Sequence, residues 1–119
     1  EAIRNLNLEH LADRDISTLS DGEFQKAGIA SALVRKASVI LLDEPTAFLD
    51  AQNRISVLNT LKEICGRGHR PAVVFSTHDL HDGLQVCSKV FAIGVDETLY
   101  ISKEDTSEAK SDTISKIFR

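Results

Sequence analysis

The sequence predicts an α/β fold built on a parallel sheet, and three observations predict it. Val39-Ile40-Leu41-Leu42 and Ala72-Val73-Val74-Phe75 are short, unbroken apolar runs rich in β-branched residues, the pattern of strands covered on both faces. Between them, Ile55, Leu58, Leu61 and Cys65 form one stripe of a helix that ends at Gly66 and Gly68. Strand, helix and strand at this spacing make a βαβ unit, with parallel strands joined by a right-handed crossover.

The remaining elements follow in chain order. Ile3, Leu6, Leu8 and Leu11 among charges predict one short helix, running into a polar loop from Ala12 to Thr18. From Gly22 to about Arg35 a helix carries Phe24, Ala27, Ile29, Ala30 and Leu33 widely around its axis, which predicts burial on more than one side. After the βαβ unit, Leu80, Leu84 and Cys87 mark a third amphipathic helix. Val90–Ile93 and Leu99–Ile101 bracket the loop Gly94-Val95-Asp96-Glu97-Thr98, a β-hairpin pattern. Lys103 to Ser111 is polar and without periodicity, hence a linker, and Ile114, Ile117 and Phe118 end the chain in a short helix. There is no internal repeat, low-complexity tract or targeting segment.

Composition narrows the function classes. The chain has 119 residues, 42% hydrophobic and 27% charged, the balance of a folded domain rather than a disordered one. Its formal charge of -4 argues against a general nucleic-acid binder, which needs a basic surface. No apolar run approaches the roughly 20 residues that span a bilayer. Cys65 and Cys87 stand far apart, so neither a zinc site nor a disulfide scaffold is expected, and a reduced cytoplasmic setting fits. Methionine is absent even at position 1, which suggests a piece of a longer chain.

Three segments carry chemistry. Ser20 and Glu23 in Leu19-Ser20-Asp21-Gly22-Glu23 are spaced as a helix capping box. The same atoms at a helix N-terminus also suit a phosphate, because unpaired N–H groups and the positive dipole end point outward. Asp43 and Glu44 close the first strand, where α/β sheets place their ligands. An acid pair there can hold Mg²⁺ on Asp43, directly or through water, while Glu44 orients or deprotonates an attacking water. Ser76-Thr77-His78-Asp79 ends the next strand, so His78 is expected at the same sheet edge as Glu44. His69 in a loop and His81 on a solvated helix face have no assigned role.

In this order and spacing the three segments resemble the ATP-binding-cassette (ABC) ATPase family, over residues 1 to about 101. Leu19 to Glu23, with Gln25 and Lys26 following, is similar to the signature motif. Val39 to Glu44 resembles Walker B with the catalytic glutamate, Ala47-Phe48-Leu49-Asp50 the D-loop, and His78 the switch histidine. The resemblance implies a partial P-loop NTPase fold, with residues 1–36 ending a helical subdomain and 37–102 forming the C-terminal part of the ATPase core. Residues 103–119 have no counterpart. It also implies ATP and Mg²⁺ as cofactors, with Glu44 and His78 catalytic, Asp43 at the metal and Asp50 in the D-loop. Leu19, Ser20, Gly22 and Glu23 would serve ATP held by a second nucleotide-binding subunit.

None of the six glycines precedes lysine, so the chain has no phosphate-cradling G-x-x-x-x-G-K-[ST] loop. The chain therefore resembles the C-terminal half of a nucleotide-binding subunit, docked on membrane permeases from the cytoplasmic side. The wording of its motifs is similar to bacterial importers of iron complexes, haem or cobalamin. A soluble ABC ATPase of DNA repair or translation would share all three motifs; the negative charge and the absence of a long heptad segment weigh against it.

Overall fold

A computed structural model describes Arg4, residues 6–66 and residues 71–118. Ile3, Gly68 and His69 lie outside the described residues. The chain divides into two compact units, Glu1–His78 and Asp79–Arg119.

In the first unit Arg4 is helical, and two 3₁₀ turns, Glu9–Leu11 and Ile16–Thr18, take up the rest of the stretch where one short helix and a loop were expected. Asp15 makes the second turn by accepting from the N–H of Ser17 at 2.9 Å, competition that Asp and Ser offer to a regular helix. Helix α1 spans Asp21–Val34, strand β1 Val39–Asp43, helix α2 Ala51–Gly66 and strand β2 Ala72–Ser76. The two strands are parallel, with Val39 opposite Ala72 and Asp43 opposite Ser76, as the βαβ reading requires. Leu6, Leu8, Leu11, Ile29, Ala30, Val57 and Leu61 form the core, with Leu42, Val73 and Phe75 packed against it from the sheet.

Three expectations fail here, each for a packing reason. The strands are not covered on both faces: Leu42 and Phe75 pack on the core, while Leu41, 75% exposed, and Val74 face the other way. Alternation along a strand sends neighbours to opposite faces, and among the described residues only one face is covered. Helix α1 is likewise buried on one side, through Gly22, Ile29 and Ala30, with Phe24 exposed. Helix α2 buries Val57, Leu58, Thr60 and Leu61, and Ile55 is exposed. Ile55 precedes Val57 by two positions, which at about 100° per residue turns it to the far side of the helix.

In the second unit, helix α3 spans Leu80–Val86, strands β3 (Phe91–Ile93) and β4 (Leu99–Ile101) form the expected antiparallel hairpin, and helix α4 spans Ser107–Ser115. A 3₁₀ turn, Lys116–Phe118, follows. The expected linker at Lys103–Ser111 is therefore wrong over its second half. Thr106 caps α4 by accepting from the N–H of Ala109 at 3.1 Å. The helix is nonetheless anchored in the unit, by polar residues: Lys110 and Thr113 are buried, and the Lys110 ammonium donates to the Cys87 carbonyl at 2.8 Å and to Asp105 at 2.9 Å.

Candidate functional site

The parallel register brings the C-terminal ends of β1 and β2 side by side, and with them the expected acid pair and histidine. Ser76 Oγ donates to Asp43 Oδ1 at 2.6 Å. The N–H of Glu44 donates to the same Ser76 oxygen at 3.0 Å. Glu44 leaves the strand with φ at 48°, in the left-handed region that costs a non-glycine residue about 1–2 kcal/mol. Its carboxylate Oε1 lies 3.0 Å from His78 Nδ1. A carboxylate oxygen accepts, so this contact is a hydrogen bond in the tautomer that carries the proton on Nδ1, and it then orients both side chains. The His78 side chain is 82% exposed and that of Glu44 34% exposed, so the pair adds little to stability. Its consequence is geometric: a carboxylate is held at a sheet edge, half in solvent, in position to accept a proton.

Asp43 is exposed at the strand end. Among the described residues no cluster of three or more potential ligands could cage a metal. A single carboxylate fits Mg²⁺ all the same, since that ion keeps several waters and is bound through one or two carboxylates together with substrate phosphates.

The segment Leu19–Glu23 forms the capping box. Glu23 N–H donates to Ser20 Oγ at 3.2 Å, and the Ser20 N–H donates to Glu23 Oε2 at 2.8 Å. That second bond, foremost, holds the Glu23 carboxyl below its usual range. Phe24 N–H donates to the Ser20 carbonyl, so among the described residues the N–H groups of Asp21 and Gly22 remain without a partner. An anion can use those two. Leu19 is half-buried against the core. Asp21 is exposed in the first turn.

Asp50 starts α2 by accepting from the N–H of Asn53 at 2.8 Å and from its Nδ2 at 2.9 Å. The Asn53 N–H is the main reason the Asp50 carboxyl titrates below its usual range. The Asn53 amide in turn lies against Gly22, where an added Cβ would meet Asn53 Cγ at 2.8 Å. Glycine is thus required by close approach, and the segments holding Ser20 and Asp50 touch through Asn53.

Sequence reasoning missed Ser76 and Asn53. Each had a signal: Ser76 faces Asp43 once the strands are parallel, and Asp-x-x-Asn has the spacing of a helix cap.

The sequence model of the ABC transporter family matches residues 1–47. An aliphatic sulfonates import ATP-binding protein of Nocardia farcinica is 39% identical over 92 residues, covering 77% of this chain and 37% of its own length. An achromobactin transport ATP-binding protein of Dickeya dadantii is 36% identical over 93 residues, covering 78% of this chain and 34% of its own. Among solved structures, an inward-facing transporter described as of the metal-chelate ABC type aligns with a TM-score of 0.84 at 31% identity, covering 98% of this chain and 45% of that one. The chain thus spans about a third of the length of these curated relatives. Backbone, motif order and sequence agree, and the chain belongs to the ABC transporter ATP-binding family.

Proposed function

We propose that the chain is the C-terminal part of an ATP-binding subunit that hydrolyses ATP to drive solute import. The observation that carries this is the cluster Asp43–Ser76–Glu44–His78 at the ends of two parallel strands. When bound, Mg-ATP supplies the γ-phosphoryl group, and the cation neutralises charge on the phosphate oxygens. Asp43 would hold the cation, directly or through water. Glu44 takes the proton of the attacking water on its carboxylate, and His78 Nδ1–H holds that carboxylate in place. Ser20 Oγ and the N–H of Gly22 would bind a phosphate of ATP held by a second copy, with Leu19 and Glu23 fixing the turn that presents them and Asp50 linked to it through Asn53.

In this reading residues 1–36 end the helical subdomain and 37–102 belong to the ATPase core; residues 103–119, expected to lack a counterpart, have one in the metal-chelate-type structure, whose alignment covers 98% of the chain. The subunit works on the cytoplasmic face of the membrane against permease partners; among the described residues no helix is long and apolar enough to cross a membrane. An iron complex is the proposed solute, supported by the motif wording, the achromobactin relative and the metal-chelate structural neighbour. The sulfonate relative points to the rival solute class.

The test is ATP turnover by the full-length protein. Glu44→Gln keeps ATP binding and slows hydrolysis by about a hundredfold or more, the value of a positioned base. His78→Ala cuts turnover more than affinity. Near-parental turnover in either variant, with ATP binding normal, would overturn the assigned role. Transport assays on the reconstituted permease complex, with ferric chelates against sulfonates, decide the solute.

A further inference from the structure

We propose that Ser76 is a positioning residue for the acid pair, its hydroxyl holding the Asp43 carboxylate and the Glu44 backbone together. The proposal rests on the ATPase reading above. Ser76 ends β2 opposite Asp43, so its side chain reaches across the strand pair where β1 turns into the loop. Its Oγ gives its proton to Asp43 Oδ1 at 2.6 Å and receives the Glu44 N–H at 3.0 Å. The first distance lies at the short end of the range for an O–H···O hydrogen bond. Donor and acceptor roles on one oxygen polarise each other, so the two bonds reinforce.

Glu44 is the residue that most needs such a hold. Its φ of 48° is disfavoured for any side chain bearing a Cβ, and the Ser76 oxygen fixes the N–H on the N-terminal side of that strained bond. Relaxation to negative φ would swing the carboxylate away from His78. Asp43 has a parallel need, because a carboxylate that ligates a cation is oriented by the hydrogen bond on its other oxygen. One hydroxyl thus serves two separate tasks, metal binding and proton transfer. Fastening β1 to β2 is not among them, since the ladder already runs through five residue pairs.

The decisive comparison is Ser76→Val against Ser76→Thr in the full-length protein, a near-isosteric pair differing in the hydroxyl. Ser76→Val should lower kcat by about ten- to a hundredfold, the worth of a hydrogen bond to a charged group, with KM for ATP little changed. In a Glu44→Gln background, the Mg²⁺ concentration that half-saturates nucleotide binding should rise about tenfold. Ser76→Thr should restore both. A purely structural serine would instead lower the thermal midpoint and leave the Mg²⁺ requirement unmoved. Parental kcat and Mg²⁺ dependence in Ser76→Val, or equal losses in Val and Thr, would overturn the proposal. If Ser76→Val does not fold, Ser76→Ala against Ser76→Thr makes the same comparison. Asp43→Asn and Glu44→Gln in parallel separate the two failures: if both hydrolyse ATP normally, the site reading falls; if both are dead while Ser76→Val is not, only Ser76 falls.

Discussion

Adding one methyl group at Gly22 should destabilise the chain, and deleting the Asn53 amide should reverse the sign. An alanine Cβ at this position would lie 2.8 Å from Asn53 Cγ and 3.1 Å from both Nδ2 and Oδ1. Carbon contacts are comfortable at about 3.5 Å or more, so the amide must retreat by about 0.7 Å. It is not free to do so, because Nδ2 donates to Asp50 at 2.9 Å, and moving the amide strains that bond. Overpacking of this kind costs about 1–3 kcal/mol. Against it stands the helix preference for alanine over glycine, about 1 kcal/mol in mid-helix and less in a first turn. The net is a loss of about 1 kcal/mol. In an Asn53→Ala background the clash is gone while the helix gain remains, so Gly22→Ala should there stabilise by about 0.5 kcal/mol. Urea unfolding followed by circular dichroism, each variant against its own background at equal m, measures both differences. A stabilising Gly22→Ala in the parental background would show that the amide yields at no cost, and the packing argument would be wrong.

Three other outcomes follow from the same structure. The carboxyls of Asp15, Glu23, Asp50 and Asp96 are all held below their ordinary values, chiefly by N–H donors for the first three and by the Thr98 hydroxyl for Asp96. Their folded pKa lies below the unfolded one, so their stabilisation is complete above the usual carboxylate range and is lost as pH falls through the lowered values; the urea midpoint should drop between pH 6 and pH 3, and a rise would refute this. Lys110→Met should cost about 1–3 kcal/mol by leaving the half-buried Cys87 carbonyl without its donor, read as faster hydrogen exchange in α4. Greater protection would mean the buried cation is a net burden. The isolated 119-residue chain should self-associate through the exposed β-face residues Val39, Leu41 and Val74 and the hairpin residues Phe91, Ile93 and Leu99. A monodisperse monomer by light scattering over a wide concentration range would count against it.

Much of the site was legible because it consists of local words on predictable elements. Two apolar runs located β1 and β2, parallel pairing put Asp43, Glu44 and His78 at one edge, and Ser-x-x-Glu located the start of α1. Illegible features depended on partners distant in sequence or on polar burial. Helix α4 has no apolar stripe because Lys110 and Thr113 fill its buried positions, and their polar atoms find carbonyls and a carboxylate that no periodicity announces. The α2 stripe was misplaced because the buried face includes Thr60, whose hydroxyl is satisfied by the Ser56 carbonyl within the helix. An apolar run also specifies a strand without specifying what lies on each side of it, and so the exposure of Leu41 was not foreseen.

The left-handed backbone at Glu44 sets a trap for protein engineering. Asparagine and glycine occupy that conformation more readily than glutamate, so replacement by either relieves the chain at this point while deleting the carboxylate. A library screened for heat resistance alone would enrich such variants, and each would be scored an improvement although the acid had gone. Stability and activity are opposed at this one dihedral angle. Selections on this protein need to read turnover in every round, or hold position 44 fixed.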